Sequence, residues 1–524
     1  MVSKSMGAAI QGVDGCIIQV EADLSDGLPG FSLVGTLSVE TREARERVRI
    51  ALRNSGFRFP VKKVTINLSP ADIHKDGTGY DLAIAVALLA AGGFIPEQNL
   101  KDIIFIGELS LQGQIRPVRG VLPMVYTAFS QGYRFFVVPE ENLAEALTIE
   151  GIRVLGASTL TDVASVLQQM EDSGTLPGKV CSKEGQMQQS RGQEETAVDL
   201  ALIQGQAMAK RAVEIAVCGM HNLLLIGPPG SGKSMLAKSI PGIMPEPDFQ
   251  EKMEISKVYS VAGLLGDRQP VMDVRPFRAP HHTITPAALV GGGRIPMPGE
   301  LSLASGGVLF LDELPEFSRG TVEALRQPLE DHFVPVNRVQ GSYRFPADVL
   351  LMGAMNPCPC GYFPDRTRCR CTSPQIRAYL SRVSKPLVDR MDLCAETVMI
   401  GFEELSHSGR AKPQEDSATV RARVKRVQTL QKKRYQKENF YYNADLPAKE
   451  IERFCVLTDQ AWKAYRKIYE KMQFSARAYH KILRVARTIA DMEDSERIEE
   501  HHLIEAVYYR SADHKYWGGE LTCR

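Results

Sequence analysis

The sequence predicts an α/β nucleotide-binding core that lies between a separate α/β domain and a helical C-terminal region. Two segments predict the core: residues 222–226 form an apolar run before a glycine-rich loop, and residues 308–313 run from apolar side chains into two carboxylates. Apolar residues at helical spacing over 420–427 and 482–492 predict the helical region. A chain of 524 residues is too long for one hydrophobic core and suggests about three domains.

Composition divides the chain into four parts. Residues 1–168 alternate strand-like and helix-like segments, which predicts the first domain, and residues 198–401 and 402–524 are expected to form the core and the helical region. Residues 169–197 are rich in Gly, Ser, Gln, Lys and Glu, which favours a flexible linker. The candidate strands of the core are 223–226, 308–311, 349–354 and 397–400.

The bulk composition excludes several classes of protein. The chain has 63 Lys and Arg against 62 Asp and Glu, so nucleic-acid binding would need a local basic patch rather than a global positive field. No apolar run has the length of a membrane span, and the N-terminus lacks the apolar segment of a signal peptide. The ten cysteines do not resemble a secreted disulfide framework. We therefore expect a cytoplasmic protein without membrane contacts.

A phosphate-binding loop is predicted directly after the first apolar run. Its eight residues fit the pattern G-x-x-x-x-G-K-[ST]: Gly227, Pro228, Pro229, Gly230, Ser231, Gly232, Lys233 and Ser234. Glycines let the backbone direct its N–H groups at phosphate oxygens, and the N-terminus of the following helix favours anions. Lys233 is expected to reach the β- and γ-phosphates of a nucleoside triphosphate, and the Ser234 hydroxyl is expected to bind Mg²⁺.

The second apolar strand predicts the hydrolytic half of the same site. Asp312 is expected to hold Mg²⁺ at the carboxyl end of the strand, and Glu313 is expected to polarise the attacking water. A protein that only binds nucleotide has no need of the second carboxylate. The pair therefore indicates ATP hydrolysis.

Three further polar residues follow in the order that such a site needs. Asn356 comes after the third candidate strand and can orient the water or contact the γ-phosphate. Arg390 precedes the helical region, where an arginine can reach the γ-phosphate of a neighbouring subunit. Arg477 begins a C-terminal helix and can sense the same phosphate.

Several stretches resemble the YifB/ComM family of magnesium-chelatase-like AAA+ ATPases. They are GQAMAKRA (205–212), HNLL (221–224), RPFRAPHH (275–282), PGELSLA (298–304), ALRQPLE (324–330) and ARTIAD (486–491). The resemblance covers nearly the whole chain. It implies an AAA+ core with a C-terminal helical lid, an arginine finger at Arg390, a sensor-2 arginine at Arg477, and ATP bound between the subunits of a homo-oligomeric, most commonly hexameric, ring.

The resembled branch of AAA+ proteins carries an insert in its second helix and a hairpin before the sensor-1 strand. Residues 333–345 are typical of such a hairpin, with a turn expected at Gly341 and Ser342. Arg338, Arg344 and Arg294 are candidates to contact a phosphate backbone, and an ordinary solvated loop explains them equally well.

Four cysteines cluster shortly after Asn356. Cys358, Cys360, Cys369 and Cys371 offer the four thiolates that suit tetrahedral Zn²⁺, although the C-x-C spacing is tighter than the usual C-x₂-C. Reduced cysteines that pack as small apolar groups are the alternative.

Residues 75–85 and 107–118 resemble the Lon-protease domain, which implies a ribosomal-S5-type α/β fold. That family needs a nucleophilic serine after its K-D-G motif and a lysine after its hairpin. The serine position falls on Gly79 and the lysine position on Met124, and neither residue can do this chemistry. Ser69 and Ser110 have no evident partner base. We therefore expect no peptidase activity, and a role in assembly, DNA contact or partner docking.

The leading hypothesis is a motor that couples ATP hydrolysis to remodelling of single-stranded or branched DNA. The resemblance suggests it, because ComM-type proteins are associated with branch migration during natural transformation and related rings include helicases. Recombination proteins would then be partners. Seven basic residues between 421 and 434 add local positive charge, although a solvated helix face explains them better. The alternative is a protein-remodelling or chelatase-type ATPase that acts on a protein partner.

Overall fold

The computed structural model describes residues 2–72, 75, 77–170, 179–180, 198–266, 269–293, 296–338, 341–401, 414–472 and 474–517. The described chain forms an eight-stranded sheet, a five-stranded sheet and three two-stranded hairpins. The flexible linker predicted over 169–197 lies outside the described residues, apart from 169–170 and 179–180.

The first domain is built on the eight-stranded sheet, whose strand order is β10-β9-β8-β5-β1-β2-β4-β3. Its strands, with the small hairpin β6–β7, are β1 Val2–Gln11, β2 Asp14–Ser25, β3 Gly30–Val34, β4 Lys63–Ser69, β5 Ile103–Phe105, β6 Glu108–Leu109, β7 Ile115–Arg116, β8 Phe135–Pro139, β9 Arg153–Ala157 and β10 Lys179–Val180. Its helices are α1 Val39–Asn54, α2 Asp81–Ala91, α3 Val121–Ser130, α4 Leu143–Ala146 and α5 Leu160–Gln169. Helix α2 is buried along its whole length, because ten of its eleven residues are apolar.

The core is an all-parallel five-stranded sheet in the order β12-β15-β18-β11-β19. Its strands are β11 Leu223–Ile226, β12 Phe277–Arg278, β15 Val308–Leu311, β18 Leu350–Met355 and β19 Leu393–Glu396. Its helices are α6 Ala207–Gly219, α7 Lys233–Ile243, α8 Phe249–Ala262, α9 Pro286–Val290, α10 Glu300–Leu303, α11 Arg319–Glu323, α12 Pro328–Asp331, α13 Ser373–Leu380 and α14 Lys385–Val388. Every residue of the central strands β11, β15 and β18 is buried, as expected for a parallel sheet covered on both faces.

Strand prediction was accurate for the apolar runs and failed at the edge of the core sheet. The strands predicted at 223–226 and 308–311 are confirmed, and the one predicted at 349–354 is shifted by one residue. The strand predicted at 397–400 is wrong, because β19 ends at Glu396. Only Leu393, Cys394 and Ala395 are apolar between two acidic residues, and so short a run gives no clear strand signal.

Two hairpins project from the core. Hairpin β13 Gly291–Gly292 with β14 Met297–Pro298 lies between α9 and α10, and hairpin β16 Phe333–Arg338 with β17 Gly341–Pro346 precedes β18. The predicted hairpin is thus confirmed, but the turn expected at Gly341 and Ser342 is wrong. Both residues pair within the ladder, with Arg338 and Asn337 respectively. The sequence signal failed because Gly341 adopts an extended conformation rather than a turn conformation.

The C-terminal region is a helical layer against the core. Its helices are α15 Ser417–Arg434, α16 Ile451–Phe454, α17 Asp459–Met472, α18 Ala476–Met492 and α19 Glu500–Trp517. The predicted helical stripes are confirmed, since Val420, Val424 and Val427 are buried on α15 and Ile482 and Ile489 on α18. Among the described residues, no helix combines the length and the apolar character that crossing a bilayer requires.

The first domain docks on helix α8 of the core. The backbone N–H of Gly120, just before α3, donates to the carbonyl of Ser260 over 3.2 Å. The buried ammonium of Lys257 lies 3.4 Å from a carboxylate oxygen of Asp14 and 4.5 Å from the ring centroid of Tyr126. The contact therefore combines a backbone hydrogen bond with a charge pair that the interface partly shields from water.

A buried polar network holds the helical layer together. The Asp491 side chain is fully buried and accepts hydrogen bonds from Arg434 (2.8 Å), Arg487 (3.1 Å) and Asn443 (2.9 Å). The Arg487 side chain is also almost fully buried. Removing one partner of such a pair leaves an uncompensated charge in the interior, which is strongly destabilising.

We expect Asp491→Asn to destabilise the helical layer by about 3–5 kcal/mol, because the variant keeps the shape of the side chain but leaves the buried guanidinium of Arg487 and the partly buried one of Arg434 without a counter-charge. Amide hydrogen exchange across α15 and α18 measures the loss of protection. The matched control is Asp459→Asn, an exposed residue in the first turn of α17, which should cost less than about 1 kcal/mol. Equal protection in the two variants would contradict the assignment.

Candidate functional site

The loop 227–234 joins the carboxyl end of β11 to the first residue of α7. Gly230 and Gly232 have φ angles of 76° and 88°, a left-handed conformation that favours glycine. A Cβ atom built on either residue would meet no heavy atom within 4 Å. The loop therefore curves around open space, with the N-terminus of α7 directed at it, which is the geometry of an anion-binding loop.

Two residues outside the predicted motif hold the loop in place. A Cβ atom on Gly227 would overlap the hydroxyl of Thr397, so the loop packs tightly against the segment after β19. The same hydroxyl lies 2.7 Å from the Ser231 hydroxyl, and the Gln206 amide donates to the Ser231 carbonyl over 3.0 Å. Sequence reasoning missed both roles: residue 397 was assigned to a strand, and Gln206 was noted only within a family motif.

Lys233 is buried at the centre of the site. Its ammonium donates to the carbonyls of Gly227 and Pro228, each over 2.8 Å, and to Oδ1 of Asn356 over 3.2 Å. Burial lowers the pKa of Lys233 to about 8, and the nearby carboxylate of Asp312 opposes that shift. The structure thus brings together three of the residues that the sequence predicted, from the ends of three different strands.

The predicted magnesium ligands are adjacent. The Ser234 hydroxyl donates to Oδ2 of Asp312 over 2.6 Å, and the backbone N–H of Glu313 donates to Oδ1 of Asp312 over 2.9 Å. A hydroxyl and a carboxylate are hard oxygen ligands of the kind that Mg²⁺ takes together with substrate phosphates. The residues present therefore fit a Mg²⁺–nucleotide complex beside an open phosphate loop.

Glu313 lies at the mouth of the site, where its side chain is 63% exposed. Its φ angle of 51° is in the left-handed region, which is uncommon for a residue other than glycine and marks a constrained turn. The nearest ring nitrogen of His282 lies 3.7 Å from a Glu313 carboxylate oxygen, too long for a direct hydrogen bond. The sequence indicates His282 only as part of the family-like stretch 275–282.

Arg390 and Arg477 lie together, away from the phosphate loop. A guanidinium nitrogen of Arg390 is 2.6 Å from Oε1 of Glu330, and one of Arg477 is 3.9 Å from the same oxygen. Arg390 is buried and also donates to the carbonyls of Arg326 (3.0 Å) and Pro386 (2.8 Å), whereas the Arg477 side chain is 69% exposed. In the described part of the chain, no hydrogen bond or ion pair joins either arginine to residues 227–234.

The sheet explains this separation. Leu393 pairs with Leu223, so Arg390 precedes the amino end of β19 while the phosphate loop follows the carboxyl end of the parallel strand β11. Four strand residues span roughly 13 Å at about 3.3 Å per residue. The two arginines therefore occupy the opposite edge of the sheet from the phosphate loop of their own chain, and their roles stay predictions.

The hairpin arginines are exposed. Arg338 ends β16, and its guanidinium lies 3.6 Å from a Cβ position on Gly292, so the two hairpins are neighbours. Arg344 stacks over Phe333 at 4.7 Å from the ring centroid, and its backbone contacts Gly12 of the first domain. The third candidate, Arg294, lies outside the described residues.

The four cysteines of the predicted zinc site are close together. One ligand atom from each of Cys358, Cys360, Cys369 and Cys371 lies within 4.8 Å of the others. The measured Sγ–Sγ separations are 3.4 Å, 3.6 Å and 3.8 Å among the first three. Zinc–sulfur bonds of about 2.3 Å in a tetrahedron place the sulfur atoms about 3.8 Å apart. The donor set therefore fits a tetrahedral metal.

The first domain shows what occupies the positions of a Lon-type dyad. A Cβ atom on Gly79 would meet no heavy atom within 4 Å, so the position is open but carries no nucleophile. Met124 is buried in α3. Ser110 is also buried, and its hydroxyl accepts from the backbone N–H of Gln114 over 3.1 Å.

Comparison with known proteins places the whole chain in one family. Family models described as "Magnesium chelatase, subunit ChlI", "Subunit ChlI of Mg-chelatase" and "Magnesium chelatase, subunit ChlI C-terminal" match residues 199–405, 20–142 and 414–510. The chain is 42% identical over 504 residues to the competence protein ComM of Haemophilus influenzae, with 96% of each chain covered. It is 41% identical over 507 residues to the uncharacterized protein YifB of Salmonella typhimurium, again with 96% of each covered.

A more distant likeness covers about a quarter of the chain. A Lon protease of Trichlorobacter lovleyi is 26% identical over 143 residues, which are 26% of this chain and 17% of that protein. This agrees with the Lon-like resemblance of the sequence. The matches over nearly the full length show that the chain belongs to the YifB/ComM family of magnesium-chelatase-like AAA+ proteins.

Proposed function

We propose that this protein is a ring-forming ATPase that couples ATP hydrolysis to the remodelling of DNA. The observation that carries the proposal is the convergence of Lys233, Ser234, Asp312, Glu313 and Asn356 at one edge of a parallel sheet, around an open phosphate loop. Membership in a family of AAA+ proteins supports ATP as the nucleotide and Mg²⁺ as its counter-ion.

Each residue has a defined task in this proposal. The ammonium of Lys233 and the N–H groups of the loop hold the phosphates, and Ser234 and Asp312 hold the metal ion. Bound Mg²⁺ neutralises the charge that develops on the phosphate oxygens. Glu313 takes a proton from the water whose oxygen bonds to the γ-phosphorus as the bond to the bridging oxygen breaks. Asn356, which accepts a hydrogen bond from Lys233, orients the water or the γ-phosphate.

The position of the two arginines supports a ring. Arg390 and Arg477 cannot serve the nucleotide of their own chain from the opposite edge of the sheet, whereas they can serve that of a neighbour in a head-to-tail assembly. Each subunit would then supply the phosphate loop to one interface and the arginines to the next. The family resemblance makes a hexamer the expected closed form.

Two observations support DNA as the substrate. A relative that is 42% identical over 96% of the chain bears the name competence protein, which links that protein to the uptake or use of DNA. The neighbouring hairpins β13–β14 and β16–β17, which correspond to the expected helix-2 insert and pre-sensor-1 hairpin, present the exposed Arg338. Such a side chain can contact a phosphate backbone from the pore of a ring.

One observation favours the alternative, a remodelling ATPase that acts on a protein partner. The basic residues of α15 do not form a free positive patch, because most of them bond to other parts of the chain: Arg421 to the Gly242 carbonyl, Arg423 to Glu214 and Glu415, Arg426 to Asp494, Lys432 to Asp248 and Glu251, and Arg434 to Asp491. Of the seven, Lys425 and Lys433 have neither an ion pair nor a side-chain hydrogen bond among the described residues.

Two smaller proposals complete the assignment. The four clustered thiols fit Zn²⁺, and we assign them to a structural zinc site. The first domain is not a peptidase in this proposal, since Gly79 and Met124 replace the serine and the lysine that a Lon-type dyad requires.

We expect Glu313→Gln to lower the steady-state ATPase rate by about 100-fold or more while ATP still binds, because the amide cannot accept the proton of the attacking water. The matched control is Glu316→Gln, an exposed carboxylate three residues later that pairs with Arg382 and should retain the wild-type rate. Loss of activity in both variants, or in neither, would contradict the catalytic assignment.

The same rate measured with single-stranded, duplex and forked DNA separates the two candidate substrates. A DNA motor should be stimulated by at least one form, with salt-sensitive binding, and should unwind or migrate the fork only when Glu313 is intact. No stimulation together with no salt-sensitive binding would favour the protein-remodelling alternative.

If the arginines act across subunits, mixing two inactive variants should restore part of the ATPase activity. Lys233→Ala removes the loop lysine and Arg477→Ala the exposed arginine. In a ring mixed at equal proportions, about one quarter of the interfaces would pair an intact loop with an intact arginine, and about one quarter of the wild-type ATPase rate should return.

The control mixture combines Lys233→Ala with Glu313→Gln, whose defects fall on the same side of the interface and cannot complement. Arg477 is preferred to Arg390 because its side chain is 69% exposed, so truncation removes no buried contact. An Arg477→Ala variant that remains fully active alone would rule out its role, and recovery in the control mixture would rule out the geometry.

A further inference from the structure

The loop that carries the four cysteines touches the phosphate loop directly. Gly361, between the second cysteine and Tyr362, has a φ angle of 84°. A Cβ atom at this position would overlap the ring carbon Cδ of Pro229. No side chain can therefore fit between the cysteine loop and the phosphate loop at this point, and a shift of either loop towards the other would displace it.

The cysteine loop meets the nucleotide site at a second point. Cys358 follows Asn356 by two residues, and Asn356 accepts the hydrogen bond from the ammonium of Lys233 over 3.2 Å. Cys358 itself is fully buried and accepts a hydrogen bond from the backbone N–H of Phe363 over 3.4 Å. The position of the asparagine that contacts the lysine is thus tied to the position of the first thiol.

The shape of the cysteine loop depends on turn hydrogen bonds, such as those from the Gly361 N–H to the Cys358 carbonyl and from the Cys369 N–H to the Asp365 carbonyl, and on the packing of its thiols. Residues 356–372 contain no helix or strand, although all of them lie in the described part of the chain. The sulfur separations of 3.4–3.8 Å are close to the edge of a zinc–thiolate tetrahedron, about 3.8 Å. A bound metal would replace these weak sulfur contacts with four bonds and fix both Gly361 and Asn356 relative to the phosphate loop.

We propose that metal binding by the four cysteines and nucleotide binding by the phosphate loop are coupled, through the contact of Gly361 with Pro229 and through Asn356. The inference rests on the nucleotide site proposed above and adds a control element to it. The metal-loaded loop holds Pro229 and Asn356 in the arrangement that binds phosphates, and loss of the metal releases both. Because coupling between two sites is reciprocal, bound nucleotide must raise the affinity of the four cysteines for the metal by the same factor.

The test uses the full-length protein, purified without a metal-binding tag and loaded with Zn²⁺. Titration with a fluorescent, non-hydrolysable ATP analogue is compared before and after removal of zinc by a chelator. We expect zinc removal to lower the affinity for the analogue by a factor within the range of roughly 5- to 150-fold that coupled sites show. The affinity for zinc is measured by competition with a colorimetric chelator, with and without saturating analogue. The analogue should raise that affinity by the same factor.

Two variants test the contact itself. Pro229→Ala removes the ring atoms that face Gly361, so it should keep its zinc but reduce the coupling factor towards one. Gly361→Ala should keep all four thiols but bind the analogue more weakly than the wild type, even in the zinc-loaded form. Its matched control is Gly56→Ala, which imposes the same strain at a φ angle of 85° but meets no atom within 4 Å. That variant should bind both ligands as the wild type does.

The outcomes separate this inference from the function on which it rests. Failure of the zinc-loaded wild type to bind the analogue would overturn the nucleotide site and the coupling together. Normal binding of the analogue by protein that holds no zinc, or equal affinity with and without zinc, would overturn the coupling alone. If zinc removal merely unfolded the chain, Pro229→Ala would leave the effect of removal unchanged, and that result would overturn the coupling through Gly361.

Discussion

The parallel pairing of β11 between β18 and β19 is the constraint on which the rest of the core depends. Parallel strands end at the same edge of the sheet, so residues that follow β11, β15 and β18 meet there, although up to 129 positions separate Gly227 from Asn356 in the chain. The hydrogen bonds of Lys233 to Asn356 and of Ser234 to Asp312 are consequences of that register. A slip of one residue would reverse the face of every strand side chain and separate these groups.

The same parallel order divides the molecule into two functional edges. Groups that precede the strands, including Arg390, collect at the amino end, and the phosphate loop lies at the carboxyl end. A single subunit therefore cannot bring its own arginines to its own nucleotide. Head-to-tail assembly removes this conflict, because the amino-edge arginines of one subunit can face the carboxyl edge of the next. This division of the sheet is the physical basis of the proposed ring.

The polar residues of the candidate site could be predicted from the sequence, but the residues that hold the phosphate loop in place could not. Lys233, Asp312 and Asn356 could be predicted because each follows a buried apolar run, and parallel pairing brings the ends of such runs together. The contact of Ser231 with Thr397 joins residues 166 positions apart through a segment whose short apolar run gave no strand signal. The hairpin turn was misplaced for a related reason, since Gly341 is extended by its pairing with Arg338 and not by local preference.

In the first domain, the residue that the sequence analysis aligned with the Lon-type lysine lies at the contact with the core. Met124 occupies the position of the Lon-type lysine and is buried in an apolar cluster that also includes Met253 of the core helix α8. A lysine ammonium in that cluster would lose its hydration without a partner, which costs several kcal/mol or forces the group neutral. The methionine instead adds apolar area to the surface by which the domain docks. Helix α3 therefore contributes to the contact with α8, the helix that follows the phosphate-loop helix in the chain.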